Sequence, residues 1–154
     1  MGNNYFLRRA KDKDIFDVFQ LSNEDYVRKH SLNTAKIEWE DHKVWFEDII
    51  NSDNHVFYVV TNYTDEFLGQ LRYKIENDFA TVSISLCKSI TGKGLSKLLV
   101  KKSMELICEE RIELRNIIAY VSNDNTASKK LFESVGFILQ ESDKGTLKYN
   151  YTIN

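Results

Sequence analysis

Gly92-Lys93-Gly94 stands between an apolar stretch ending at Leu86 and a long amphipathic stretch running to about Glu110. If the first is a strand and the second a helix, these residues form the turn that opens the helix. The first turn of a helix has backbone N–H groups with no internal partner and carries partial positive charge. Glycines let the backbone curl and allow an anion to come close. A pyrophosphate would sit well there, with Lys93 adding charge at the rim. The same residues could instead be a tight turn that needs glycine and binds nothing. Two nucleotide signatures are missing: no third glycine follows Gly94 three residues on, and there is no Walker sequence. Metal chemistry is not indicated, because His30, His42 and His55 show no ligand spacing with Cys or acids.

The elements that must position this turn are legible from periodicity. Tyr5 to Arg9 reads as a first strand. Asp12 and Asp14 sit where helix N-caps prefer to be, before a helix from about Lys13 to Ser22. Asn23 to His30 is a short helix and His30 to Ile37 a loop. Glu38 to Asn51 is a stronger helix, with Trp39, Val44, Trp45, Ile49 and Ile50 as apolar positions. Three meandering antiparallel strands follow, His55 to Thr61, Phe67 to Ile75 and Ala80 to Leu86. The glycine turn opens a helix to about Glu110, with Leu95, Leu98, Leu99, Leu106 and Ile107 as its buried stripe. Asn116 to Val121 is a strand, Asn125 to Val135 a helix, and Phe137 to Glu141 and Thr146 to Thr152 two last strands. The class is α+β, a mixed and mostly antiparallel sheet of about seven strands flanked by helices.

Composition narrows the setting. The chain has 154 residues and a net charge of -2, which suits one domain over 1–154 without a basic face for nucleic acid. No stretch approaches the ~20 apolar residues of a membrane helix. Met1 to Arg9 lacks the apolar run of a signal peptide. Cys87 and Cys108 lie in apolar stretches and read as reduced core residues, which fits a cytoplasmic protein.

Asn125-Thr-Ala-Ser-Lys-Lys-Leu-Phe-Glu-Ser-Val-Gly-Phe137 resembles the N-x-x-A/S-x-x-L/F-Y/F-E-x-x-G-F helix of the GNAT acetyltransferase superfamily. Thr91-Gly-Lys-Gly-Leu-Ser96 resembles its Q/R-x-x-G-x-G/A coenzyme A loop. Both occur in the family's order and spacing, and the element string matches its fold. The resemblance implies acetyl-CoA as co-substrate. It implies that the strand ending near Leu86 splays from the strand ending near Val121. It places the pantetheine arm beside Ile84 and Leu86, and the pyrophosphate on amides of Gly92, Lys93, Gly94, Leu95, Ser96 and Lys97. Asn125 would reach the cofactor. The amine would attack directly, with a backbone N–H polarising the thioester carbonyl. Phe132 stands where many members carry a tyrosine that protonates the leaving thiolate, which phenylalanine cannot do. Tyr120, Tyr149 and Tyr151 are alternatives.

Ile37-Glu-Trp-Glu-Asp-His-Lys-Val-Trp-Phe46 resembles a segment of the family branch that acetylates amino groups of nucleotide-linked deoxysugars. Helical spacing lets His42, Trp45 and Phe46 share one face, which could stack a ring or simply be core. His42 is a candidate base or a satisfied polar neighbour. Glu76 and Asp78 are further base candidates or solvated turn residues. Arg72 could hold a substrate phosphate, and Trp45 could line the same site. Two other functions fit the motifs: acetylation of protein N-termini, as in the ribosomal-protein acetyltransferases, and a coenzyme A-binding regulator without catalysis. A homodimer is compatible with all of them.

Overall fold

The computed structural model describes residues 4–154; Met1–Asn3, which begin the stretch read as free of a signal peptide, lie outside the described residues. Seven strands form one sheet: β1 (Phe6–Arg9), β2 (His55–Thr61), β3 (Phe67–Glu76), β4 (Phe79–Leu86), β5 (Asn116–Ser122), β6 (Ile138–Asp143) and β7 (Thr146–Thr152). Their spatial order is β1-β2-β3-β4-β5-β7-β6. Every neighbouring pair is antiparallel except β4 and β5, which run parallel. Five helices cover it: α1 (Ile15–Ser22), α2 (Asp25–Arg28), α3 (Trp39–Ile50), α4 (Leu95–Glu110) and α5 (Thr126–Val135). Among the described residues, no helix is long and apolar enough to cross a membrane.

Strand alternation divides the core. Val56, Tyr58 and Val60 of β2 join Leu71, Tyr73, Val82 and Ala119 under α4 and α5. Phe57 and Val59 face the other way and meet Val18 of α1 and Phe46 of α3. Period-2 side-chain direction produces this two-sided burial. The helix stripes differ from the expected ones. Leu98 is 49% exposed and Val44 61% exposed, while Val100, Ser103 and Met104 are buried with Leu99 and Ile107. The sheet selects a face of α4 turned by one residue from the leucine-rich one.

Asp14 does not cap α1 with its side chain. It is buried, accepts the Lys11 backbone N–H at 2.7 Å, and receives both terminal nitrogens of Arg8 at 2.8 and 2.9 Å. The pair ties β1 to the start of α1.

His42 lies between α1 and α3 and is only 1% exposed. Its Nε2 donates to the Ile15 carbonyl at 2.8 Å. Rings of Phe19, Trp39, Trp45 and Phe46 lie 5.1–5.9 Å from it, centroid to centroid. Burial pushes the imidazole pKa below its ordinary value, with the Ile15 carbonyl opposing and Arg72 reinforcing. The folded state therefore holds the ring neutral, and protonation in acid favours unfolding. Stability from this group is present above about pH 6.5 and is lost below it, at no more than ~1.4 kcal/mol per pH unit. His55 shifts in the same direction, so His42→Gln isolates the effect. Denaturation at pH 7.5 and 5.5 is expected to show a smaller acid loss in His42→Gln than in the wild type.

Candidate functional site

The parallel ladder between β4 and β5 runs from Phe79↔Asn116 to Val82↔Ala119 and stops. Both strands continue, β4 to Leu86 and β5 to Ser122, so they part and leave a gap between them. The Cys87 N–H bonds the Leu68 carbonyl, which fixes the alternation of the β3–β4 ladder. Thr81, Ser83 and Ser85 turn their backbone groups toward β3. Ile84 and Leu86 therefore aim theirs into the gap, where no strand receives them. The Leu86 carbonyl takes the Tyr26 hydroxyl at 2.7 Å. What remains is a short free ladder edge, suited to an extended arm bearing amides.

The glycine turn sits just beyond β4. Gly92 and Gly94 both have φ of 72°, the left-handed region in which glycine carries no Cβ penalty. No other atom lies within 4 Å of where a Cβ would stand at either position. Gly94 caps α4 without any side-chain hydrogen bond, and the first turn carries no acidic residue. The amides of Leu95, Ser96 and Lys97 thus open a 16-residue helix toward solvent, and Lys93 is exposed beside them. A helix start of this kind is suited to an anion held by backbone.

On the α1–α3 side of the sheet, Arg72 lies opposite Ser83, the first β4 residue past the paired segment, and Gln70 lies opposite Ser85. Tyr120, the first β5 residue past the pairing, shares this face and is 48% exposed. The Arg72 guanidinium stacks over Trp45, with 4.8 Å to the ring centroid, and approaches Phe57 at 5.9 Å. Among the described residues no carboxylate pairs with it. Burial, and next the charge of Arg28, push its pKa down to about 10. Arg28 itself is held by the carbonyls of Ser22, Asn33 and Ala35 and by the Ser31 hydroxyl, not by an acid. Gln70 is buried and donates to the Ser22 hydroxyl at 3.2 Å, leaving its Oε1 without a described partner. A buried acceptor left this way costs about 1–3 kcal/mol.

Several expected roles change with this geometry. His42 is enclosed between helices and supports Trp45, which in turn supports Arg72. It does not face the gap as a base. Glu76 is exposed and pairs with Phe79 at the closed end of the β4–β5 ladder, four β4 residues before the strands part. At ~3.3 Å per residue this is roughly 13 Å away. Asp78 lies at the same end, where its carbonyl receives the Arg115 N–H at 2.6 Å. Asn125 caps α5: its Oδ1 accepts the Ser128 N–H at 3.1 Å. Phe132 is buried against Phe137, with centroids 5.1 Å apart. The Tyr149 hydroxyl donates to Glu133 at 2.8 Å, and burial followed by Glu133 pushes its pKa up to about 12. Tyr26 carries no local pattern that marks it.

Residues 4–138 match the acetyltransferase (GNAT) domain. The chain belongs to the GNAT acetyltransferase family. Over 141 residues it is 26% identical to the putative phosphinothricin acetyltransferase YwnH of Bacillus subtilis (strain 168), covering 85% of this chain and 82% of that protein. The crystal structure of a Vibrio cholerae spermidine N-acetyltransferase with CoA and spermine superposes with a TM-score of 0.85 at 15% identity, covering 97% of this chain and 96% of that one. A Methanocaldococcus jannaschii domain gives 0.84 at 18% identity, with 97% and 98% covered. The spermidine enzyme is also described as a dodecamer. Two of these relatives are named for phosphinothricin or spermidine, and none of the three is named for an amino sugar. The chain is a GNAT acetyltransferase, and CoA binding is seen in a structure sharing its fold.

Gly94→Val tests the loop. Its Cβ has room in the free protein but forces left-handed backbone, at ~1–2 kcal/mol, and stands on the face that an anion at the helix start would approach. Calorimetry is expected to show at least a tenfold loss of acetyl-CoA affinity in a variant that remains folded.

Proposed function

We propose that this chain passes the acetyl group of acetyl-CoA to the primary amine of a small molecule that also carries negative charge. The observation that carries this reading is Arg72, a half-buried guanidinium that stacks on Trp45 opposite Ser83, next to the start of the gap, and has no carboxylate partner among the described residues. Taking a cation partly out of water without an ionic partner carries a cost. An acceptor bearing a carboxylate, phosphinate or phosphate would relieve that cost and repay it as binding energy. Gln70 Oε1 could take an N–H of the same ligand.

Acetyl-CoA supplies an activated thioester, and the chain's own residues orient and polarise it. Amides from Gly92 to Lys97 hold the pyrophosphate. Ile84 and Leu86 present the edge along which the pantetheine arm pairs. The Ile84 N–H, aimed into the gap, is the donor best placed to stabilise the oxyanion. Phe132 offers no proton to the departing sulfur. A thiol with an ordinary pKa of roughly 8.5 is a competent leaving group as the thiolate, which can take up a proton afterwards.

Charge separates the acceptor classes. A polyamine would bring positive charge toward Arg72 and Arg28, which disfavours it. Phosphinothricin carries two anionic groups besides its amine. A nucleotide-linked amino sugar carries a pyrophosphate and meets the same requirement; the likeness of Ile37 to Phe46 to that branch supports it as a second acceptor to test. Acetylation of protein N-termini gains no support from Arg72 unless the peptide is acidic. A non-catalytic regulator would bind acetyl-CoA without thiol release. A homodimer remains compatible with the exposed edge strand β6.

Arg72→Met removes the anchor and keeps the Trp45 platform. Loss of one charge-assisted contact is worth about 1.5–3 kcal/mol. KM for an anionic amine is expected to rise about 10- to 100-fold, with acetyl-CoA affinity unchanged. Thiol release with spermidine that equals or exceeds that with anionic amines would sink the reading.

A further inference from the structure

The β4–β5 ladder ends at Val82↔Ala119, two core residues, so Ser83 and Tyr120 are the first beyond it and both turn to the other side of the sheet. Arg72 of β3 stands directly opposite Ser83. Lys148 of β7 stands directly opposite Tyr120, and Glu141 of β6 directly opposite Lys148. Residues that face each other across a ladder share a side of the sheet. Arg72, Ser83, Tyr120, Lys148 and Glu141 therefore form one transverse row on the α1–α3 side, and the row crosses the start of the gap. At ~4.8 Å per strand, Arg72 and Lys148 stand roughly 14 Å apart, one on each side of it.

Glu141 reaches the row through a bulge. Leu139 pairs with Tyr149, but Lys148 then pairs with Glu141 and not with Gln140. An extra residue of this kind re-aims a side chain. The two-residue turn Lys144-Gly145, left-handed at both positions with φ of 50° and 84°, folds β7 back along β6 and sets Asp143 opposite Thr146. α1 and α3 pack over β2, β3 and β4, whereas every residue of β6 is exposed. On this uncovered half lies an open cleft of about 340 Å³, lined by Tyr120, Glu141, Asp143, Lys144, Thr146 and Lys148.

The chemistry of the cleft differs from that of Arg72. Two lysines accompany two acids, so the cleft as a whole favours neither sign of charge. An ammonium or a phosphate placed there would meet a like charge beside each opposite one. The Lys148 ammonium and the Glu141 carboxylate are 3.7 Å apart, longer than a hydrogen bond, so the donor and the acceptor both keep capacity for a ligand. Hydroxyl groups donate and accept at once and match such a wall. The Tyr120 ring, about half exposed, adds a flat apolar face with a polar tip.

We propose that this cleft takes an uncharged, hydroxylated part of the acceptor, with Tyr120 as its platform and Lys148 as a specificity-determining donor. This rests on the acetyltransferase reading above and on an anion at Arg72. The acceptor class is then an amine on a polyhydroxylated ring that also carries an anionic substituent. Its anionic end lies on the Arg72 side, its amine over the gap and its hydroxyls on the Tyr120 side. Phosphinothricin satisfies Arg72 and leaves the cleft unused.

The test pairs kinetics with NMR. Thiol release from acetyl-CoA is followed with glucosamine 6-phosphate and with phosphinothricin. The wild type is expected to show at least tenfold higher kcat/KM for glucosamine 6-phosphate. Tyr120→Ala and Lys148→Met are each expected to raise KM for that amine at least fivefold and to change KM for phosphinothricin less than twofold, with acetyl-CoA affinity kept. Tyr120→Phe retains the ring and is expected to stay within twofold of wild type. Equal or higher kcat/KM for phosphinothricin overturns the proposal, as does a KM for glucosamine 6-phosphate that neither Tyr120→Ala nor Lys148→Met moves. Binding is read without turnover by titrating N-acetylglucosamine, which is uncharged, into the CoA-bound protein. The Tyr120, Thr146 and Lys148 amides are expected to shift, and less so with spermidine; no shift, or a larger one with spermidine, overturns the cleft assignment. Thiol release with spermidine alone would instead overturn the anionic reading of the acceptor, and release with no amine the acetyltransferase reading, while the N-acetylglucosamine shifts still decide the cleft.

Discussion

The whole arrangement depends on where the hydrogen bonding between β4 and β5 ends. Parallel strands normally pair along their shared length. Here the ladder stops after Val82 and Ala119, although both strands continue. Beyond that point the backbone N–H groups of Ile84 and Leu86 face away from β3 and meet no neighbouring strand, while the Leu86 carbonyl accepts from Tyr26. Unpaired backbone inside a sheet is unfavourable, so the fold holds an unfinished edge that a ligand with its own amides can complete. The two halves of the sheet are each anchored independently, β4 by β3 and β5 by β7. Each half also packs against α4 and α5 through one continuous core. Each wall of the gap thus has its own pairing and packing support.

Two chemistries lie on opposite sides of that opening. The side of α4 offers helix amides at a glycine turn, a backbone device whose charge does not titrate. The side of α1 to α3 offers side chains, and their support is layered. His42 locks α3 to α1 through the Ile15 carbonyl, Trp45 packs on His42, and Arg72 lies on Trp45. A cation held by aromatic faces keeps its hydrogen-bond donors free, whereas one held by a carboxylate would not. Arg8 of the same protein illustrates the other case, with its donors spent on Asp14 and Asp65. α2 reaches the β4 lip on this side through the Tyr26 hydroxyl.

Local patterns were legible in the sequence because their causes are local. Gly92 and Gly94 stand where the chain turns left-handed into a helix, and Gly136 ends α5 in the same conformation. Strand bounds such as His55–Thr61 and Thr146–Thr152 follow from β-branched and aromatic runs with turns on either side. Facing was harder to read. Leu98 and Val100 are two residues apart on α4, and tertiary packing against the sheet decides that Val100 is the one covered. His42, Trp45 and Phe46 do share a face, but whether that face meets solvent or α1 depends on a loop without periodicity. Glu76 lies away from the gap because the register of β3 on β4 puts it at the closed end of the ladder, which spacing along the chain does not encode. Arg72, Tyr120 and Lys148 are brought to one level by the pairing of separate strands, which is equally invisible along the chain.

The central claim is that the free edge of β4 receives the cofactor arm as an added strand. Amide hydrogen exchange at Ile84 and Leu86, measured by NMR with and without acetyl-CoA, tests it most directly. The account predicts that both amides become strongly protected on binding, while Ser83 and Ser85, already paired to β3, change little. Saturable acetyl-CoA binding that leaves Ile84 and Leu86 exchanging as in the free protein would contradict it.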